Sequence, residues 1–214
     1  EILHRDEGET EESAICLAAR DGLTNYVAKA MYQRRKKPSD DLMSLIANGE
    51  IKLTDGATRL LTDREAVEYM FLLAAAGNET VARLLANASC YLAWYPDQRQ
   101  KLLDQPLLIP QAIEELLRFD PPSPIQFRRT LKPVDLHGVK IPAGSNVALS
   151  TAGAARDERQ YANPDVFDVE RNARHLSLGE GVHSCLGAYV ARLEMRIALE
   201  EFLRNFPSWQ VDKS

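Results

Sequence analysis

Cysteine is scarce in this sequence. Cys16, Cys90 and Cys185 stand far apart among 214 residues, a sparse and odd set that argues against a disulfide framework and fits a reducing compartment. There is no excess of basic charge either. The 26 Lys and Arg face 31 Asp and Glu for a net charge of -5, so no global attraction draws the chain to nucleic acid or to an anionic membrane. Long apolar runs are missing: none approaches the roughly eighteen residues of a membrane span, and the N-terminus has no charged-then-apolar signal layout. A soluble, cytoplasmic protein with no nucleic-acid or membrane partner is the expectation. An opening methionine is missing as well, and the stretch from Glu1 reads like the middle of something longer, so a fragment is expected.

The length suits one large domain or two small ones. Residues 1–12 are acidic and polar and read as a tail or loop, His4 included. Apolar spacing predicts a helix over 13–37, with Leu17, Leu23, Tyr26, Val27, Ala30 and Met31 on its apolar side and Arg34-Arg35-Lys36-Lys37 as a solvated basic end. Pro38-Ser39-Asp40 breaks it, and a short helix follows over 41–47. Thr62-Asp63-Arg64-Glu65 is a capping box opening a helix with no breaker before Tyr95-Pro96. At 1.5 Å per residue it would run roughly 45 Å. Its middle, 70–77, is apolar all round and predicts a central, buried helix. Gly77-Asn78-Glu79-Thr80 then sets polar groups where they must be satisfied or serve something. The local alternative is a kink at which Thr80 bonds back to a carbonyl one turn earlier.

Pro96 starts a helix through 103 and Ile109-Pro110 another over 111–119, which Pro121-Pro122 stops. Glu115 and Arg118 share a face of it at i and i+3, an arrangement that is ordinary when exposed. Over 124–149 the period falls to two, with His137-Gly138 and Ala143-Gly144 as turns, so short strands and hairpins are expected. Residues 152–172 read as irregular. From 186 to about 206 the pattern is helical again, Leu193, Ile197 and Leu199 facing one way and Arg192, Glu194 and Arg196 outward. The fold class is mainly α with small β hairpins.

The stretch Ser177-Leu178-Gly179-Glu180-Gly181-Val182-His183-Ser184-Cys185-Leu186-Gly187 is a glycine-rich loop that carries a cysteine to the head of a helix. Gly179, Gly181 and Gly187 bracket the cysteine and permit positive φ and close approach to a flat object. The helix dipole and loop amides favour a thiolate. Two other readings stay open: a buried free cysteine in a glycine-rich turn, or a zinc site of His175, His183 and Cys185, which lacks a fourth ligand.

Gly179-x-Gly181-x-His183-x-Cys185-x-Gly187 resembles the haem-binding signature of the cytochrome P-450 superfamily, the haem-thiolate monooxygenases, closest to soluble bacterial members; haem-thiolate ligation of this kind favours O–O cleavage. Leu178 stands where the family has an aromatic residue. Ala76-Gly77-Asn78-Glu79-Thr80 is similar to the family's distal-helix motif, and Glu115-x-x-Arg118 with Arg171 to its buried Glu-x-x-Arg set, with Val169 and Glu158 at positions where proline is usual. The resemblance implies the C-terminal portion of the P-450 fold: long central helix, Glu-x-x-Arg helix, meander, cysteine loop and final helix. Residues 1–214 would be the haem-binding half of one domain, with the N-terminal half absent.

It further implies haem b with Cys185 as axial iron ligand, Arg128 and His183 on its propionates, and Gly179, Gly181, Gly187, Ala76 and Gly77 against it. Glu79 and Thr80 would relay protons, while Glu115, Arg118 and Arg171 would hold the loop beneath the haem. The implied reaction inserts one atom of dioxygen into a C–H bond of a small apolar organic substrate, with electrons from a ferredoxin or flavodoxin-type donor. Arg156, Arg159, Arg171, Arg174, Arg192 and Arg196 concentrate positive charge near the cysteine loop, which on an exposed face suits an acidic donor. The competing reading is a catalytically inactive fragment, haem-binding or not, that needs its missing half.

Overall fold

A computed structural model describes residues 13–212 of the chain; the tail expected over 1–12, His4 included, lies outside them. Contacts divide the chain into two compact units, which meet in sequence between Asn78 and Glu79.

In the first unit, α1 (Ala14–Lys36) opens on Ser13, whose hydroxyl accepts the Cys16 amide at 3.3 Å. Cys16, Val27 and Met31 are its buried side, whereas Leu17 and Tyr26 are exposed, so the buried stripe is narrower than its apolar content predicts. The basic end does more than meet solvent. Arg34 pairs with Asp41 at 2.5 Å, and Arg35 pairs with Asp63 at 2.9 Å and bonds the Leu61 carbonyl. Asp41 in turn caps α2 (Leu42–Asn48) by accepting the Ser44 amide at 2.8 Å. Val27, Met31, Ile46, Ala47 and Ala66 form this unit's core. An antiparallel hairpin of β1 (Glu50–Lys52) and β2 (Thr58–Leu60) was not expected from the sequence; three-residue strands carry too little alternation, although Asp55-Gly56, with Gly56 at φ +88°, marks its turn.

The long helix is α3 (Asp63–Trp94), and its capping box forms in both directions: Thr62 Oγ1 accepts the Glu65 amide at 3.2 Å and Glu65 accepts the Thr62 amide at 2.8 Å. Burial all round its middle is not observed. Leu72 is 53 % exposed and residues 76–80 are exposed, whereas Ala66 is buried near its start and Leu84, Ala88 and Leu92 are buried along its second half. The 84, 88, 92 spacing is an ordinary one-sided helical stripe. The helix runs through Gly77 without interruption.

In the second unit, Leu84, Ala88 and Leu92 join a core with Leu102 of α4 (Pro96–Asp104), Ile113 and Leu116 of α5 (Ile109–Phe119), Phe167 and Val169, and Met195, Leu199 and Leu203 of α7 (Ala188–Asn205). Tyr91, Phe119 and Phe167 meet here with ring centroids 5.0 to 5.7 Å apart. On α7 the expected face is corrected: Met195, Leu199 and Leu203 are buried, while Leu193 and Ile197 are half exposed. The 195, 199, 203 stripe lies at i+4 intervals, and the two more N-terminal aliphatics fall off it.

Strands β3 (Ile125–Arg129) and β6 (Asn146–Ser150) pair antiparallel, and β4 (Val134–Leu136) and β5 (Val139–Ile141) form a separate hairpin. His137 at φ +50° and Gly138 at φ +82° make its turn, as expected. A short helix, α6 (Thr151–Ala155), occupies the start of the segment expected to be irregular; Ser150 caps it by accepting the Gly153 amide at 2.9 Å.

The Glu115–Arg118 pair is not the ordinary exposed kind. Both side chains are fully buried, joined by two bonds of 2.7 and 2.8 Å. Arg118 also donates to the carbonyls of Ala155 at 2.8 Å and Pro164 at 2.9 Å, and Glu115 accepts from Arg171 at 3.3 Å and from the Asp168 amide at 3.1 Å. Among the described residues no buried side-chain polar atom lacks a partner. Truncating either member leaves an uncompensated buried charge, so Glu115→Ala or Arg118→Ala is expected to lose about 3 to 5 kcal/mol of stability in urea unfolding. Arg118→Lys should recover only part of it, because one ammonium cannot reproduce the fork.

Candidate functional site

The cysteine loop is built by its own backbone. The Gly179 amide donates to Leu176 O at 2.9 Å, Ser184 to Gly181 O at 3.1 Å and Cys185 to Leu178 O at 2.7 Å, so the loop folds back and sets Cys185 just ahead of α7. Gly179 lies at φ +74° and Gly181 at φ +64°, conformations that side chains oppose. A Cβ on Gly179 would also stand 2.6 Å from the His183 carbonyl oxygen. Gly187 departs from expectation: it lies at φ -85°, open to any residue, and serves as the N-cap of α7. Leu178, at the position where an aromatic residue is usual, packs against the main core.

Cys185 is exposed, and no heavy atom beyond the adjoining residues lies within 4 Å of the Cβ position at Gly181 or Gly187. The loop thus presents a sulfur flanked by bare backbone, which is what a flat macrocycle bound through that sulfur requires. His183 is exposed at the end of a short 3-10 turn in the loop. Arg128 is exposed on β3 and bonds the Phe127 carbonyl at 2.8 Å. Glu79 is exposed on α3 and pairs with Arg83 at 2.7 Å, one turn on; Thr80 follows it on the same helix, and Ala76 and Gly77 are exposed on the preceding turn. The structure therefore gathers Gly179, Gly181, His183, Cys185 and Gly187 in one loop and Glu115, Arg118 and Arg171 in one buried cluster. Glu79 bonds Arg83 and Arg128 bonds the Phe127 carbonyl, residues of neither group. His175, His183 and Cys185 are not brought together, and among the described residues no group of three or more His, Cys, Asp or Glu is placed to hold a metal ion.

One cluster escaped the sequence reading. Glu114, beside Glu115 on α5, accepts two bonds from Arg192 at 2.7 and 2.8 Å and contacts His175 Nε2 at 3.1 Å. Burial pushes the Glu114 pKa up, but the bonds from Arg192 and His175 outweigh it and hold it at about 2. The signal in the sequence was the doublet itself, since neighbouring residues on a helix point about 100° apart and two acids in succession need two partners. Of the six arginines near the loop, Arg171 is taken up by Glu115, and Arg156 by Asp165 and the Phe119 carbonyl, while Arg159, Arg174 and Arg196 remain largely exposed.

The family model for cytochrome P450 matches residues 103–214, just over half of the chain. The chain belongs to the cytochrome P450 family. It is 35% identical over 213 residues, 99% of its length, to the putative cytochrome P450 123 of Mycobacterium tuberculosis (strain ATCC 25618 / H37Rv), and covers 52% of that protein. Its structure is similar to the bacillaene polyketide synthase cytochrome P450 PksS of Bacillus subtilis 168, with a TM-score of 0.90 and 32% identity, covering all of this chain and 53% of that one. It is similar also to CYP109E1 from Bacillus megaterium in complex with corticosterone, with a TM-score of 0.87 and 32% identity over 100% of this chain and 57% of that one. The chain spans about half the length of the P450 relatives it matches. A mainly helical fold with small hairpins is thus that of a cytochrome P450 over the matched portion. Among the described residues no helix is long and apolar enough to cross a membrane.

The three glycines of this P450 loop separate in a substitution series. Placing a side chain in the left-handed region costs roughly 1 to 2 kcal/mol, so Gly181→Ala should lose about that much and Gly179→Ala more, because its Cβ also meets a carbonyl. Gly187→Ala should be near neutral in the same urea titration. Acid titration tests Glu114. Its folded pKa is depressed from the ordinary 4.5 to about 2, so its contribution is complete above about 4.5 and disappears as pH falls toward 2. The unfolding midpoint of the wild type should fall more steeply across that window than that of Glu114→Gln.

Proposed function

We propose that this chain is the haem-binding portion of a cytochrome P450 monooxygenase. Cys185 would hold the iron of haem b through its sulfur, and the protein would insert one atom of dioxygen into a C–H bond of a small apolar organic substrate. The observation that carries the reading is the exposed Cys185, set at the head of α7 by a loop whose Gly179 and Gly181 both take positive φ. Residues 1–214 belong on this reading to a single P450 domain. Bound haem would supply dioxygen activation, with the thiolate's electron donation favouring O–O cleavage. Everything else falls to side chains.

Cys185 contributes the sulfur. His183 and Arg128, both exposed and basic, would hold the propionates, Arg128 through its planar fork. Gly181 and Gly187 leave the backbone bare for close approach, and by the family resemblance Ala76 and Gly77 would be the small residues of α3 against the haem. Glu79 and Thr80 would manage protons: the exposed carboxylate can exchange them with solvent, and the hydroxyl beside it in sequence would relay them. Glu115, Arg118 and Arg171 position the loop and touch no reactant. Electrons would come from a ferredoxin or flavodoxin-type protein, with the exposed Arg159, Arg174 and Arg196 as its complement, in a cytoplasmic setting that suits a chain whose cysteines form no disulfide.

The first test is the absorption spectrum of the chain with added haem, reduced under carbon monoxide. A red-shifted Soret band in the wild type that is lost in Cys185→Ser is expected; the same spectrum from both proteins rejects Cys185 as ligand. In the protein completed with its remaining segments, Thr80→Ala should keep consuming oxygen while product falls severalfold and hydrogen peroxide rises. An unchanged ratio of product to oxygen consumed counts against the proton role.

A further inference from the structure

The two acids of α5 serve different parts of the chain. Glu115 faces the meander through Arg171 and the Asp168 amide, whereas Glu114 faces the cysteine loop from both of its ends. His175 lies before the loop and Arg192 after it, and both reach the same carboxylate, with Glu114 Oε2 contacting His175 Nε2 at 3.1 Å and Arg192 Nη2 at 2.8 Å. The His175 side chain is only 3 % exposed, and its orientation is fixed from the other nitrogen, since Nδ1 accepts the Ser177 amide at 3.2 Å. That leaves Nε2 to carry the proton and donate to Glu114. The Arg192 contact is a two-bond fork, which sets direction as well as distance.

Without Glu114 each flank keeps a hold of its own. Ser177 Oγ donates to the Leu117 carbonyl at 2.6 Å, and α7 stays seated through Met195, Leu199 and Leu203. What would be lost is the link between the flanks. A loop whose ends are tied samples fewer conformations than one whose ends are free. Glu114 and Arg192 line an open groove together with Pro110, Ile113, Leu193 and Arg196.

We propose that Glu114 is a positioning residue for the cysteine loop, bracketing it between His175 and Arg192 and thereby fixing where the Cys185 sulfur stands. The consequence for the sulfur rests on the reading of Cys185 as haem ligand; the bracket itself does not. Two measurements keep them apart. In the haem-free chain, hydrogen exchange at the amides of Ser177, Gly179 and Cys185 should quicken at least tenfold in Glu114→Ala, with little change at Leu116 or elsewhere in α5. Leu203→Ala, which weakens the core at the far end of α7, should quicken exchange broadly. Glu114→Gln, which keeps the shape and one acceptor, should fall between wild type and Glu114→Ala and decides the matter if the alanine variant does not fold.

In the haem-loaded chain under carbon monoxide, Glu114→Ala and Glu114→Gln should move intensity from the red-shifted to the blue-shifted band. Exchange that rises no more in the loop than in the rest of the chain overturns the bracket. Faster loop exchange with an unchanged band overturns its reach to the sulfur. A wild type with no red-shifted band defeats the ligand reading instead, and exchange still decides the bracket.

Discussion

The second unit depends on one buried ion pair. Glu115 and Arg118 are wholly removed from water, and a charge so placed is tolerable only when every donor and acceptor is answered. The answers come from far along the chain: the carbonyls of Ala155 and Pro164, the amide of Asp168 and the guanidinium of Arg171. A segment with little regular structure of its own is thereby fixed by satisfying a helix. Arg156 stacks over Phe119 at 3.8 Å and Tyr161 donates to the Arg174 carbonyl at 2.6 Å, so the same segment is held at further points before it reaches the loop. Desolvation supplies the specificity here. A shifted register would leave a buried carboxylate or guanidinium unanswered, at a cost larger than most single contacts.

From that anchor the chain reaches Cys185 by backbone bonds and glycine conformations. Phe167 and Val169 lock the meander into the core, Ser177 fastens its end to α5, and the turn through Gly179 and Gly181 brings the Cys185 amide to the Leu178 carbonyl. Leu178 follows the same logic. Where the family usually has an aromatic ring, a half-buried aliphatic side chain still packs against the core.

Much of this was legible in the sequence because it is written in local rules. Caps, proline starts and the period-two stretch placed α3, α4, α5 and the strands, and the spacing of Gly179, Gly181, His183, Cys185 and Gly187 marked the loop. What was not legible depends on which neighbour covers which face. Nothing in an all-round apolar run says that Leu84, Ala88 and Leu92 are buried while Leu72 is exposed. The helical pattern also grouped Leu193 and Ile197 with Leu199 on one face of α7, although the i+4 row of Met195, Leu199 and Leu203 takes the packed side. The hairpin at 50–60 was too short to show a period, and Gly187 looked like its neighbours because a one-letter code does not carry φ.

The Glu114-Glu115 doublet shows where pattern reading stops and geometry begins. A motif of the form Glu-x-x-Arg names the second acid and is silent about the first, which in sequence is one more charged residue on a helix. In three dimensions the two side chains leave α5 in different directions, and each finds a buried or half-buried partner set. Because they share one rigid helix turn, the meander held by Glu115 and the loop flanks held by Glu114 are referred to a common frame. A displacement of α5 would carry both, whereas loss of one carboxylate frees only its own partners. The position of the Cys185 loop is therefore set jointly by two adjacent residues whose interactions are separable.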